Sequence, residues 1–163
     1  KGKSFCAGAD LNWMQRMANY QYEENYQDAK AMANMFRALA DFPLPTIAMI
    51  QGSAFGGGLG LIAACDIAIA ADHTLFCLSE VKLGLIPAVI SPFLLNTIGQ
   101  RALKRYAFTA EVFDANAAKA IGLVHEIVRS DELEAKVAEL CQHMLHNGPQ
   151  ALKAAKQLID DIS

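Results

Sequence analysis

Three consecutive glycines, Gly56, Gly57 and Gly58, separate the apolar run 46–50 from the small, apolar run 59–64. The first run has the β-branched and aliphatic character of a buried strand, and the second reads as a helix packed on all sides. Glycines at a helix start remove every β-carbon from the place where backbone N–H groups lack intrahelical acceptors, so a ligand oxygen can approach them closely. The chemistry on offer is stabilisation of an anion or oxyanion. A bare triplet also fits a tight turn with close helix–strand packing, and by itself it does not decide between the two. A second small-residue stretch, Ala7-Gly8-Ala9, likewise leaves its backbone accessible, and Asp10 behind it is suited to cap a helix beginning at Leu11. One carboxylate, Glu80, stands at the edge of the apolar, Gly- and Pro-punctuated segment 81–88. It is either a solvated partner of Lys82 or a partly desolvated acid whose raised pKa suits proton transfer.

The elements that must carry these residues follow from periodicity. A helix is expected over 12–17, a mobile connection or frayed start over 19–24, and an amphipathic helix over 25–41 that ends before Pro43 and Pro45. Buried strands are expected over 46–50, 65–71 and 74–78. Beyond them, Ser91 is expected to cap a helix ending at Gly99, with further helices over 101–107, 114–120, 131–145 and 149–159, and a strand over 123–128. This divides the chain into 1–88, an α/β core with the site, and 89–163, a mostly helical region completing the core and suited to contacts with a partner subunit.

With 163 residues, 53% of them apolar and 19% charged, the chain suits one globular domain. A net charge of −3 with no cluster of Lys or Arg offers no attraction for nucleic acid or an anionic membrane. Cys6, Cys65, Cys77 and Cys141 lack paired metal spacing, and three lie in apolar settings, so small buried thiols of a reduced, cytoplasmic compartment are expected, with neither disulfide nor metal. No apolar run reaches the length of a membrane span. His73, His125, His143 and His146 show no acidic partner or metal spacing, and Ser53 and Ser79 have no His nearby in sequence, so none is expected to be catalytic. Trp13, Met14 and Met17 either line an acyl pocket or cover the core. Lys1 and Lys3 either meet phosphates or are solvated. The opening Lys1-Gly2-Lys3-Ser4 reads as a strand end entered mid-fold, so an N-terminal portion is expected to precede it.

Four stretches in this order, Ser4 to Leu11, Gln51 to Gly58, Ala64-Cys65-Asp66-Ile67 and Ser79 to Pro87, resemble the enoyl-CoA hydratase/isomerase (crotonase) superfamily. The resemblance covers essentially the whole chain. It implies an α/β fold, a spiral of ββα units lacking its N-terminal strands here, with a C-terminal helical region that assembles a homo-oligomer, a trimer or a dimer of trimers. It implies an acyl-CoA substrate, with coenzyme A part of that substrate and no separate cofactor or metal. Matched by position, the oxyanion donors fall on the N–H groups of Ala9 and Gly57, and the acid/base on Glu80. The substrate-binding set falls on Ala7, Gly8, Ala9, Asp10, Leu11, Gly56, Gly57, Gly58 and Gly60.

One departure stands out. Hydratases of the family carry a second glutamate after the triplet, and that position is Gly60. The wording of 9–14, 77–80 and 88–93 most resembles bacterial methylglutaconyl-CoA and carboxygeranoyl-CoA-type hydratases, which implies hydration of a branched enoyl-CoA in leucine or isoprenoid degradation. Gly60 beside a retained Glu80 equally suits an enoyl-CoA isomerase, because moving a double bond needs one base and no activated water. A lapsed family member or an RNA-binding one is the non-enzymic alternative, and the missing basic patch counts against RNA.

Overall fold

The computed structural model describes residues 2–162, apart from the side chain of Leu11. Two helices open the chain. Helix α1 (Leu11–Met17) starts where Asp10 accepts the Trp13 N–H at 2.8 Å. Helix α2 (Tyr22–Ala40) begins inside 19–24, which decides for a helix start over a mobile connection in that stretch and lengthens the helix expected over 25–41. There Glu24 accepts the Gln21 N–H at 2.8 Å, and Glu23 and Glu24 together face the positive end of the helix.

The strands form two small sheets. In the first, β1 (Ile47–Ile50) and β6 (Glu126–Val128) flank β3 (Ile67–Ala71), all parallel. In the second, β4 (Leu75–Cys77) lies between β2 (Ala54–Phe55), parallel to it, and β5 (Phe113–Asp114), antiparallel. Strands β2 and β5 have two residues each, too short to show a period in sequence. Strand β6 is shorter than the 123–128 expected. At its start His125 does the work of a strand residue by donating its N–H to the Ala68 carbonyl at 2.8 Å and accepting the Ala68 N–H on Nδ1 at 3.1 Å.

Helix α3 (Gly57–Ala63) connects the two sheets. Helix α4 (Ser91–Thr109) breaks at Gly99, whose φ of 72° and ψ of 165° lie outside the helical region, so the two helices read from the sequence are two arms of one element. Its cap is Ile90; Ser91, expected as cap, lies inside the first turn and donates its hydroxyl to the Pro87 carbonyl at 2.7 Å. Helix α5 (Ala115–Ala120) is capped by Asp114, and α6 (Leu133–Leu145) and α7 (Pro149–Ile162) close the chain. One core runs through both halves, with Phe36, Ile50, Leu59, Phe76, Leu94 and Leu123 each at most 2% exposed. Because β5 and β6 enter the two sheets, residues 89–162 build the core as well as cover it.

Helix α7 has no buried residue and is held by charge. Lys156 Nζ lies 2.8 Å from Asp66 Oδ2, which also accepts the N–H and hydroxyl of Thr46. The lysine side chain is 10% exposed and that of the aspartate 31%, so water screens the pair from one side. Lys156→Ala is expected to cost about 1 kcal/mol, the upper end for a solvent-screened ion pair. Hydrogen exchange should show the loss concentrated in α7; uniform loss of protection would contradict this anchoring.

Candidate active site

The two loops that carry the expected donors are laid side by side by backbone pairing. Phe5 and Cys6 donate their N–H groups to the Ser53 carbonyl at 3.0 and 3.2 Å, and Phe55 returns a bond to the Cys6 carbonyl at 2.9 Å. Gln51 clamps the segment from the side by donating Nε2 to the carbonyls of Gly2 and Ser4 at 3.3 and 3.1 Å. Glycine makes the approach possible. A β-carbon at Gly52 would collide with the Lys3 carbonyl, and one at Gly58 would lie 2.8 Å from Cβ of Cys6.

Within the triplet the three glycines have different tasks. Gly56 has φ 53° and ψ −122° and donates its N–H to the Cys77 carbonyl at 2.9 Å, which fixes the turn on strand β4. Gly57 has open space where a side chain would be. Leu59 donates back to the Gly56 carbonyl at 3.0 Å, whereas the N–H groups of Gly57, Gly58 and Ala9 have no acceptor among the described residues. Free N–H groups at a helix start are the donors an oxyanion requires.

Glu80 opens a single 3-10 turn, Glu80–Leu83, that ends on Gly84 in the left-handed region at φ 71°. The turn aims the carboxylate inward, and a β-carbon at Gly56 would lie 3.3 Å from its Oε1. Its Oε2 is inaccessible and has no hydrogen-bond partner. Burial raises the Glu80 pKa above that of an ordinary glutamate, and a hydrogen bond from its own backbone works in the other direction. Of the two readings left open by the sequence, the desolvated acid is therefore the one found. Lys82 makes no ion pair with it among the described residues.

Glu80 and Gly57 meet in a cleft of about 270 Å³. One wall is Trp13 and Met17 from α1 with Ala29 and Met32 from α2, and the other is the segment 85–90. Sequence periodicity placed Met32 only in a helix core, and nothing in the pattern marked residues 85–90 as a wall. A larger groove of about 590 Å³ between Phe5, Met49, Gln51 and the start of α6 contains neither Glu80 nor the triplet, so it lacks the chemistry of the smaller one.

Gly60 lies behind this cleft instead of in it. It is buried, and a side chain there would strike the Cγ2 methyl of Ile90, lie 2.8 Å from Ile90 Cβ and 3.0 Å from the Phe36 ring. Among the expected binding residues Gly60 is not in the described lining of the cleft; it makes room for Ile90. Gly58 is buried against Cys6 in the same way. Ala7, Ala9 and Asp10 are exposed and Gly8 half-exposed, and the Asp10 carboxylate is engaged as the α1 cap. The Leu11 side chain and Lys1 fall outside the described residues, and Lys3 is exposed.

Other expectations need correction. Only Cys77 of the four free thiols is buried; Cys141 is exposed. His73 does have an acidic neighbour, Asp72 at 3.5 Å, but both side chains are more than half exposed. Trp13 and Met17 line the cleft, which decides for them between pocket and core. Among the described residues no helix is long and apolar enough to cross a membrane.

Comparison with known proteins agrees with this geometry. Residues 1–162 match the family model for enoyl-CoA hydratase/isomerase. The chain is 38% identical over 161 residues to human mitochondrial methylglutaconyl-CoA hydratase, covering 96% of this chain and 47% of that protein. It is also 38% identical over 163 residues to the enoyl-CoA isomerase/hydratase fer4 of Mycosarcoma maydis, covering 97% of this chain and 57% of the relative. The crystal structure of an enoyl-CoA hydratase from Shewanella pealeana superposes with a TM-score of 0.96 at 49% identity, covering 99% of this chain and 60% of that one. The chain thus belongs to the enoyl-CoA hydratase/isomerase family and has the crotonase α/β fold. It spans between about half and 63% of the length of the curated relatives it matches.

The contact between Gly60 and Ile90 is open to a double-mutant cycle. Gly60→Ala should destabilise the protein by about 1–3 kcal/mol through overpacking, and Ile90→Ala by about 2–5 kcal/mol through the cavity left. The double variant should lose clearly less than the sum, measured by denaturant unfolding. Additive losses would mean that the two positions do not compete for one space.

Proposed function

We propose that this chain carries the catalytic part of an enzyme that adds water across the conjugated double bond of an enoyl-CoA thioester, with Glu80 as its single acid/base. The observation that carries the proposal is the Glu80 carboxylate, whose Oε2 is buried and unbonded in an apolar cleft that Gly57 also lines. Glu80 takes a proton from water as the water oxygen bonds to the β-carbon. The electron pair of the double bond moves onto the thioester oxygen, giving an enolate, which the free N–H groups of Ala9 and Gly57 hold. Glu80 then returns the proton to the α-carbon, the thioester carbonyl reforms, and the net change is addition of H and OH. Each oxyanion donor of this kind contributes about 3 kcal/mol to such a step.

The described lining of the cleft has no basic side chain, and its one charged group is Glu80. An apolar acyl chain suits it better than a second carboxylate. The resemblance to methylglutaconyl-CoA hydratases supports a branched dicarboxylic substrate instead, which would need a cation from outside the lining described. Double-bond isomerisation is favoured by a separate observation: Ile90 fills the space where a side chain at 60 would begin, so among the described residues no second acid lines the cleft to hold water. In that reaction Glu80 takes the α-proton of a β,γ-enoyl-CoA and delivers it to the γ-carbon. The exposed apolar residues of the C-terminal half, Phe108, Leu145 and Ile162 at 73–75% exposure, support a homo-oligomer, a trimer or a dimer of trimers. Light scattering on the full-length protein is expected to give three or six chains; a monomer at micromolar concentration would refute the assembly.

Absorbance of the conjugated thioester separates the reactions, falling on hydration of a straight-chain or methylglutaconyl enoyl-CoA and rising when a β,γ-enoyl-CoA is isomerised. Glu80→Gln keeps the size of the side chain but moves no proton, so the rate in either assay should fall by about 10²–10⁴-fold with little change in binding. An unchanged rate would end the single-acid proposal.

The same variant has a stability signature. Because the folded-state pKa of Glu80 is raised, its contribution is fully present below the ordinary glutamate range and is lost as pH rises through the folded value. Above that folded value wild type bears a partly desolvated negative charge that Glu80→Gln lacks. The variant should melt higher than wild type on the alkaline side of it, with the gap closing in acid. A variant that melts lower there would show that the carboxylate is structurally bonded.

A further inference from the structure

Trp13 is the single tryptophan of the chain, and it is tied at two points. Its backbone N–H donates to Asp10 Oδ1 at 2.8 Å, and its indole Nε1–H donates to Asp28 Oδ2 at 3.0 Å. The first bond caps α1 immediately after Ala9. The second crosses from α1 to α2 and, among the described residues, is the one side-chain hydrogen bond that joins α1 to another helix. Indole nitrogen only donates, so a ring half-buried in an apolar wall needs an acceptor supplied to it, and Asp28 supplies it.

Asp28 does not line the cleft. It borders a polar groove on another side of α2, with Tyr20, Glu23, Glu24 and Gln27. Any influence it has on a ligand must pass through the indole, which does line the cleft beside Met17 and Met32. The two methionines are flexible and adapt to what they touch. The indole is broad and rigid, and its placement fixes how much of the cleft is left for a chain.

We infer that Asp28 is a positioning residue that sets the acyl-chain preference of the cleft: its bond to Trp13 holds the indole, and with it the cleft wall, against α2. The inference rests on the reading of this cleft as the acyl site. It also extends to the oxyanion loop, because α1 continues directly from the turn containing Ala9 and Asp10, and releasing the indole frees the helix that anchors that turn.

The test uses the full-length protein and saturated acyl-CoA thioesters of increasing chain length, which bind without being hydrated, with free CoA as the control. Trp13 is the one indole of this chain, so the difference between the emission of wild type and of Trp13→Phe reads its surroundings directly. In wild type the emission should change with acyl-CoA and not with CoA, and affinity should rank by chain length. Asp28→Ala should flatten that ranking by about fivefold for the preferred chain, the value of one hydrogen bond, while CoA affinity stays the same. Asp28→Asn, which keeps an acceptor oxygen, should restore it. An unaltered ranking in Asp28→Ala would overturn the inference. If calorimetry shows acyl-CoA binding while wild-type emission stays constant, the acyl-site reading itself is wrong. Should Asp28→Ala fail to fold, Trp13→Phe, followed by calorimetry because it has lost the indole, keeps an aromatic ring without the N–H and should flatten the ranking likewise; a wild-type ranking in that variant would also overturn the inference.

Discussion

A half-buried carboxylate with one oxygen kept out of water and unbonded is the constraint that the rest of the structure accommodates. Ordinarily a fold pairs such a group or leaves it at the surface, because burial of a charge without a partner is costly. Here the backbone is arranged to keep Glu80 where it is. The 3-10 turn that begins with Glu80 is closed by Gly84, and Leu85 donates its N–H to the Glu80 carbonyl at 3.1 Å. The strand before it holds Gly56 through the Cys77 carbonyl, so the acid and the helix start are fastened to the same short span, 77–80, at the exit of β4. Any shift of that span moves both, which keeps their relation fixed.

The same economy explains why so many close contacts fall on glycine. Gly52, Gly58 and Gly60 each stand where a β-carbon would collide with a neighbour: the Lys3 carbonyl, Cys6 and Ile90 respectively. These approaches bring the 5–9 loop onto α3 and α3 onto the start of α4. Backbone donors cannot be repositioned by exchanging side chains, so the precision of an oxyanion site built from N–H groups depends on how tightly the chains that bear them pack. Small residues around such a site serve geometry before they serve binding.

What the sequence revealed follows from which signals are local. The strand–glycine–helix order at 46–64, the Asp10 cap and the break at Gly99 all depend on near neighbours, and all are found. The two-residue strands β2 and β5 exist only through partners, with Ala54 opposite Phe76 and Phe113 opposite Phe76 on its other side, so no window of sequence could show them. Helix α2 starts early because Gln21 and Glu24 cap it, a signal outweighed in the reading by the polar, tyrosine-rich composition around it. At the site, Glu80 and Gly57 were legible by resemblance. Ile90, Phe36 and Asp28 were not, since each acts on a residue far away in sequence.

Gly60 shows how such a distant contact changes the chemistry open to a site. In sequence it reads as the place of a second glutamate replaced by glycine, a change that by itself would leave a vacancy. In the fold there is no vacancy, because Ile90, 3% exposed, has its methyl where the side chain would begin, and the Phe36 ring closes the other side. A carboxylate introduced at 60 would meet hydrocarbon and would need both neighbours to move, at a cost that overpacking and desolvation both raise. The absence of the second acid is thus built into the packing of α2, α3 and α4, and reversing it requires changes in three elements at once. Among the described residues the cleft is lined by one carboxylate, Glu80, and in the proposed reaction the proton it takes is therefore the proton it returns.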